Sequence, residues 1–243
     1  RVKITELNRK FILLTKLAIS PMKIVSYALL LLSTLIIFSL AEVIRFYLSS
    51  YSLDAMFISF CAGFILFIPL VSLVIQPIFD KKISADSALK LSSFLGNVAL
   101  VVVVQLLCFL IWMTDAIALY SLYVDQNSFL AKAFNITVEN RADLSVEFYW
   151  FNIALACFFA LLSLIIGVLP CLFSKIENNG VVANFASAFS FAKRHKKLML
   201  FSALAIAVSV VLPLLYAKFL FLILFPLVLL VVFSQLSECA SID

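Results

Sequence analysis

The sequence predicts an all-α protein of the membrane class, a polytopic membrane helical bundle with six transmembrane helices. Hydrophobic residues make up 65% of the chain and charged residues 13%, whereas a soluble domain averages about 45–50% and about 25%. Six separate stretches are long and apolar enough to cross roughly 30 Å of hydrocarbon, which takes about 20 residues each. No low-complexity linker divides the chain, so we treat residues 1–243 as a single membrane domain.

The six predicted spans follow one another through connections that are mostly short. Polar or charged segments separate the first five spans. The last two are separated by Lys218 alone, which requires either a tight outer turn or one long broken helix in place of two spans. The predicted spans are residues 24–48, 55–79, 97–120, 148–173, 198–217 and 219–235.

The basic residues predict the orientation of these spans. The connections on one side carry 14 of the 18 Lys and Arg residues, and the other side carries 4. Because short cytoplasmic loops are enriched in Lys and Arg, we expect both termini in the cytoplasm, with a bacterial inner membrane as the location. The net charge of +5 then reflects topology and attraction to anionic lipid headgroups, and no nucleic-acid partner is expected.

A short segment of mixed polarity precedes the first, third and fifth spans. Apolar residues recur there at helical spacing, as Phe11, Leu14 and Leu17 do in the first segment. Helices of this kind lie in the membrane interface with one apolar face buried. We therefore predict three cytoplasmic amphipathic interfacial helices. They comprise residues 7–20, 85–95 and 184–197.

The order of surface helix, span and span occurs three times, which indicates an internal repeat of three parallel helix-hairpin units. Pro77 and Pro170 support this register, because they occupy matching places near the cytoplasmic ends of the second and fourth spans. The alternative is that any six-span protein with short loops has this arrangement. The units are residues 1–79, 80–173 and 174–243.

The longest outer connection, residues 121–147, is the most polar stretch of the chain. It is longer than an ordinary loop between two helices. We expect this outer loop to have some structure of its own or a docking role.

The chain has no recognisable catalytic or cofactor motif. His195 is its single histidine, whereas a zinc or haem–copper site takes several ligands. None of the five cysteines lies in CxxC spacing, and four of them lie within or at the ends of apolar runs. We therefore expect the cysteines to be small buried apolar residues. We therefore expect no enzymatic activity, no cofactor and no metal site.

One basic run lies just before the fifth span and comprises Lys193, Arg194, His195, Lys196 and Lys197. Cations near a helix C-terminus suit the helix dipole, and a polybasic segment at the membrane attracts anionic headgroups. We predict that this run binds lipid headgroups and that His195 is solvated. A cytoplasmic protein partner is the alternative.

Ionisable residues are scarce within the predicted spans. Glu42 and Arg45 share a face of the first span, Asp115 lies near the outer end of the third span, and Lys218 lies at the outer turn. We expect these four to form an outer polar cluster, either as a structural pairing or with a functional role. Gln105 is the strong polar residue near a span's midplane, and we expect it to make an interhelical hydrogen bond.

Aromatic side chains gather at the predicted outer boundary. They favour an interfacial aromatic belt over a ligand cage. These residues are Trp112, Tyr120, Tyr123, Tyr149 and Trp150.

Several loose, mostly apolar motifs extend over most of the chain. They are Ala62-Gly63-Phe64, Pro69, the charged turn at residues 80–84, Trp112 with residues 116–120, Pro170, residues 185–192 and Phe225-Pro226-Leu227. In these motifs the chain resembles an uncharacterised bacterial family of predicted six-span integral membrane proteins, some described as cytochrome c oxidase subunit I-like. Subunit I needs several histidines for two haems and copper, so the resemblance implies an accessory rather than a catalytic subunit.

These observations lead to a functional hypothesis and two alternatives. We expect a non-enzymatic inner-membrane protein that serves as an accessory, scaffold or assembly subunit of a membrane complex, with membrane lipids and other membrane subunits as partners. The first alternative is a carrier for a lipid or small amphipathic molecule, with a cavity lined by Gln105 and the outer polar cluster. A membrane enzyme is the second, and it would need a converging set of carboxylates or histidines.

Overall fold

The computed structural model describes residues 21–51, 53–79, 87–123, 141–176 and 180–240, and the regular structure in those ranges is helical. We number the α-helices within these ranges α1 to α9. They are α1 Pro21–Ser50, α2 Phe57–Phe64, α3 Ile68–Phe79, α4 Ser87–Tyr123, α5 Arg141–Leu162, α6 Leu169–Ile176, α7 Val181–Arg194, α8 Lys196–Tyr216 and α9 Lys218–Ala240.

The six predicted spans are confirmed, with boundaries within a few residues of those expected. Six helical stretches in the described part of the chain are long and apolar enough to cross a membrane, so the architecture is that of an integral membrane protein. The stretches are Lys23–Ser50, Asp54–Ile78, Leu95–Ala118, Phe148–Ser174, Lys196–Tyr216 and Lys218–Ala240.

The last two spans form a helical hairpin and not one broken helix. Helices α8 and α9 lie side by side along their length. Ala217 alone separates them, with φ −144° and ψ 66°, and its N–H donates to the carbonyl of Pro213 at 2.9 Å. Two apolar helices joined by a single residue can pack in this way only if the chain reverses direction at Ala217.

The second span is the centre of the bundle. It runs from the 3₁₀ turn Asp54–Met56 through α2, the 3₁₀ turn Ile65–Phe67 and α3, and it contacts each of the other five spans. In the 18-residue apolar stretch of the second span, 72% of the residues are buried, whereas the share is 28% in the corresponding stretch of the first span and 22% in that of the third. The first and third spans are therefore peripheral, and most of their apolar side chains are at least partly exposed.

Proline explains the break inside the second span. Pro69 has no N–H, so the carbonyl of Ile65 loses the donor that an uninterrupted α-helix would supply. That carbonyl accepts instead from the Ile68 N–H within the 3₁₀ turn and from the hydroxyl of Ser163 at 3.3 Å. A side chain of the fourth span thus satisfies a backbone group that proline leaves open in the second.

The fourth span changes its winding at the same level. A π-helical segment, Ser163–Val168, joins α5 to α6 and places Gly167 against the ring of Pro69. A β-carbon at Gly167 would lie 2.6 Å from the Pro69 Cβ, which is too close for any side chain. The two broken spans are therefore in contact at their breaks.

Of the three predicted interfacial helices, one is a separate helix in the structure. Residues 184–197 overlap α7, which ends at Arg194, and the first two residues of α8, which begins at Lys196. Residues 85–95 do not form a helix of their own where they are described, because Ser87 onwards belongs to α4, which continues through the third span. Residues 7–20 lie outside the described ranges. The interfacial position of α7 and the three-unit repeat stay predictions.

Helices extend into the predicted outer loop from both sides. Residues 121–123 continue α4, and residues 141–147 belong to α5. Only residues 124–140 separate these helices, and they lie outside the described ranges.

Candidate functional site

An ion pair joins the start of the sixth span to the first span. The Lys218 Nζ lies 2.6 Å from the Glu42 Oε2, and both side chains are partly exposed. Lys218 is the first residue of α9, where the helix dipole disfavours a cation and favours an anion. Glu42 therefore neutralises the unfavourable positive charge of Lys218, and its own negative charge is favourable at this N-terminal end of α9.

Arg45 closes the end of the fifth span. Its Nη1 donates to the carbonyl of Leu214 at 3.3 Å, and its Nη2 makes a longer contact of 3.5 Å with the carbonyl of Leu215. The last carbonyls of an α-helix have no donor within the helix, and a cation beside them also suits the dipole. The guanidinium lies 5.0 Å from the centroid of the Phe57 ring as well, within cation–π range.

The structure thus brings together three of the four residues of the predicted outer polar cluster. Glu42, Arg45 and Lys218 surround the turn at Ala217 and hold the α8–α9 hairpin against the first span. The expected local pairing of Glu42 with Arg45 is not formed, because Lys218 takes Glu42 and the α8 carbonyls take Arg45. Asp115 lies elsewhere, on the exposed side of the third span.

A cavity of about 320 Å³ opens beside this turn, between the ends of the first, second, fourth and fifth spans. We call it the Arg45 pocket. Its polar lining comes from Arg45, Asp54, Tyr149 and Tyr216, and its apolar lining from Leu48, Phe57 and Leu215.

Sequence reasoning missed Asp54 as a site residue, because it lies in the short connection before the second span and carries no motif. It forms part of the 3₁₀ turn that opens that span, so the span start brings it to the pocket. Among the described residues, Arg45 and Asp54 do not pair with each other within 4.0 Å. The pocket is therefore lined by two opposite charges that are held apart.

A second, more apolar cavity of about 500 Å³ runs between the third and fourth spans. We call it the Asp115 groove. Asp115 is exposed at one end of it, and within the described ranges it has no hydrogen bond or ion pair. The other lining residues are Cys108, Ile111, Trp112, Ala118, Phe151, Leu155, Phe158, Phe159 and Leu162.

The predicted aromatic belt is wrong for Trp112. This side chain is 4% exposed, its Nε1 donates to the carbonyl of Ser59 at 3.1 Å, and its ring packs edge-on against Phe159. A buried indole with a backbone partner is a core residue that ties the third span to the second. Tyr120 is also buried, against Phe148. Trp150 is 66% exposed and fits the belt.

The interhelical hydrogen bond expected of Gln105 is not formed. Its side chain is 4% exposed, and neither its oxygen nor its nitrogen has a partner among the described residues. The nitrogen lies 3.4 Å from the position that a Gly167 β-carbon would occupy, so Gln105 faces the π-helical break. Gln105 does not line the Arg45 pocket, and the two sites that the carrier hypothesis connects are separate here.

The basic run lies where α7 ends and α8 begins. Lys193 and Arg194 occupy the last turn of α7, as the dipole favours. His195 is partly exposed, and its ring lies 4.6 Å from the Phe191 ring, so the solvation of this histidine stays a prediction. The four cationic residues Lys193, Arg194, Lys196 and Lys197 are exposed.

Within the described ranges, no three His, Cys, Asp or Glu side chains lie close enough together to hold a metal ion. The polar groups that do converge are those of the Arg45 pocket. This arrangement can bind a charged small molecule, since it offers a cation, an anion and two tyrosines around one cavity.

A comparison of the chain with protein-family models, with curated proteins and with solved structures finds no match. The resemblance to the bacterial six-span family therefore stays a prediction from the sequence.

Proposed function

We propose that this protein is a non-enzymatic accessory or assembly subunit of a bacterial inner-membrane complex, with both termini in the cytoplasm. We further propose that the Asp115 groove receives a transmembrane helix of the partner. The partner helix has an apolar face and a Lys or Arg near its outer end.

The exposed carboxylate of Asp115 carries this proposal. Ionisable side chains in membrane spans almost always face the bundle interior or a water-filled cavity and pair with another group. Asp115 lies within the apolar third span, is exposed, and has no ion pair within the described part of the chain. A cationic residue on a neighbouring helix would neutralise it where lipid cannot.

The shape of the groove supports the same occupant. Its walls are aromatic and aliphatic side chains with one charge at the end, which matches the apolar face of a helix that carries a single cation. The third span is also the most exposed of the six, since only 22% of the residues in its apolar stretch are buried. A partner helix can therefore approach along its length without rearranging the bundle.

The basic run has a separate role in this proposal. The exposed Lys193, Arg194, Lys196 and Lys197 suit anionic headgroups on the cytoplasmic leaflet. A carrier has less support, because the polar pocket lies at one end of the bundle and Gln105 is buried apart from it.

The test is photocrosslinking from the groove in native membranes. A photoreactive phenylalanine replaces Ile111, which lines the groove and is 62% exposed. A matched control replaces Ile223, which is 67% exposed on α9. We expect Ile111 to crosslink one other membrane protein through a transmembrane peptide that contains Lys or Arg, and Ile223 not to.

The role of the charge is tested by Asp115→Asn in the Ile111 background. Loss of one member of a desolvated charge pair weakens association by roughly 30-fold or more, so the adduct should nearly disappear. Asp115→Lys together with an acidic substitution of the partner's cation should restore it. Adducts to lipid alone, adducts to a second copy of this chain, or an adduct indifferent to Asp115→Asn would each refute the proposal.

A further inference from the structure

We propose that the Arg45 pocket binds a zwitterion that carries a phosphate and a primary ammonium, the chemistry of phosphoethanolamine. This site goes beyond the proposed subunit role and does not depend on the Asp115 groove.

The first argument is the pair of separated charges. Arg45 and Asp54 line one cavity of about 320 Å³ without contacting each other. Opposite charges near a low-dielectric bundle attract each other strongly, so two that stay apart across a cavity are suited to a ligand between them. A ligand with both signs satisfies both, whereas a simple anion would be repelled by Asp54 and a simple cation by Arg45.

The second argument is that Arg45 keeps free hydrogen-bond donors and an unneutralised charge. A guanidinium has five N–H donors, and two nitrogens of Arg45 contact backbone carbonyls. The nearest acidic side chain on its own helix face, Glu42, is engaged by Lys218. The planar fork of arginine binds phosphate oxygens with two parallel hydrogen bonds, and the remaining donors are available for them.

The third argument concerns the rest of the lining. Tyr149 and Tyr216 add two phenol groups beside the carboxylate of Asp54, and tyrosine rings and hydroxyls both attract an ammonium group. Leu48, Phe57 and Leu215 form an apolar wall, which suits the carbon atoms that adjoin a headgroup. A volume of about 320 Å³ corresponds to on the order of ten water molecules, enough for such a group.

Phosphoethanolamine can reach the pocket as a lipid headgroup or as a free molecule. The pocket lies at the ends of the spans, where we expect headgroups to meet water, so both sources are physically accessible. The chemistry that the pocket recognises is the same in the two cases.

The test is ligand binding to the purified full chain in lipid-depleted detergent, measured by calorimetry and by thermal stabilisation. The probes are phosphoethanolamine, ethyl phosphate without the ammonium, and ethanolamine without the phosphate. We expect phosphoethanolamine to bind at least about 10-fold more tightly than either fragment, since each charged hydrogen bond is worth about that factor. Equal binding of phosphoethanolamine and ethyl phosphate would overturn the proposal.

Two substitutions assign the contacts. Asp54→Asn should remove the preference for phosphoethanolamine over ethyl phosphate, and it leaves the α8–α9 turn untouched. Arg45→Gln should weaken both phosphates about 10-fold or more, and Arg45→Lys, which keeps the charge, should restore part of that loss. Asp115→Asn is the matched control and should change nothing. If Asp54→Asn keeps the full preference, the assignment is wrong.

Competition identifies the source. Nanodiscs of phosphatidylcholine that contain phosphatidylethanolamine, or instead phosphatidylglycerol, are compared for their ability to exclude free phosphoethanolamine. Exclusion by phosphatidylethanolamine alone supports the zwitterion as a lipid headgroup, and binding unaffected by either lipid supports it as a free molecule. Exclusion by phosphatidylglycerol equal to that by phosphatidylethanolamine would show that only negative charge matters and would overturn the proposal.

Discussion

Arg45 supplies the hydrogen-bond donors that a one-residue turn cannot supply to the end of α8. The turn between α8 and α9 consists of Ala217, which is too short to satisfy the final carbonyls of α8 by itself. Arg45, from a different span, supplies the missing donors. An unsatisfied carbonyl at this end of a span would cost about 1–3 kcal/mol, so the hairpin depends on a residue 169 positions away in the chain.

Replacement of Arg45 by alanine should therefore lower the free energy of unfolding by about 1–3 kcal/mol. Lys197→Ala is the matched control, because Lys197 is an exposed cation at the opposite end of α8, and its substitution should change stability by less than about 0.5 kcal/mol. Reversible unfolding in mixed micelles measures both. Equal effects of the two substitutions would show that Arg45 does not cap the helix.

At the scale of elements, the breaks in the second and fourth spans are complementary. Proline opens one helix, the π-helical segment widens the other, and Gly167 leaves room for the Pro69 ring. The hydroxyl of Ser163 then bonds to the carbonyl that Pro69 leaves open. Irregular backbone inside a membrane is tolerated only where it is buried in protein, and the central position of the second span provides that burial.

We expect Gly167→Ala to destabilise the fold by about 1–3 kcal/mol, the usual cost of forcing an extra methyl group into a packed interior. Gly180→Ala is the matched control, because its β-carbon would meet no atom within 4 Å. Thermal unfolding in detergent of the two variants checks the expectation. A Gly167→Ala variant as stable as the Gly180→Ala variant would show that the two spans do not touch at their breaks.

At the scale of the whole molecule, the bundle has a central span and two peripheral ones. The second span contacts all the others, whereas most residues of the first and third spans are not buried. The exposed carboxylate of Asp115 lies on that peripheral surface next to an apolar groove. This exposed apolar surface beside a carboxylate is the feature on which the proposed partner rests.

The orientation of the whole molecule is tested by single cysteines in a cysteine-free variant. We expect Ala217→Cys to react with a membrane-impermeant maleimide on intact cells, because the basic connections are predicted to face the cytoplasm. Lys197→Cys, at the other end of α8, should react only after the cells are permeabilised. The reverse pattern would show that the protein has the opposite orientation in the membrane.

Much of the fold follows from the sequence, and little of the candidate site does. Glu42, Arg45 and Lys218 each lie close to the outer end of a span, which predicts that they lie near one another, and the structure places these three around the turn at Ala217. Asp115 also lies near an outer end, yet it faces outward. Asp54 carries no motif, so its place in the Arg45 pocket is visible only when four span ends are seen together.

The sequence by itself determined that the chain is an all-helical membrane protein with six spans, because the length of an apolar run is a local property of the chain. Only the tertiary structure decided which face of each span is buried. As a result Lys218 lies next to Glu42, Asp115 is exposed and Trp112 is buried. The physical reason is that these spans are apolar on all sides, so hydrophobicity does not fix their rotation. Close packing does, through contacts such as that of Gly167 with Pro69.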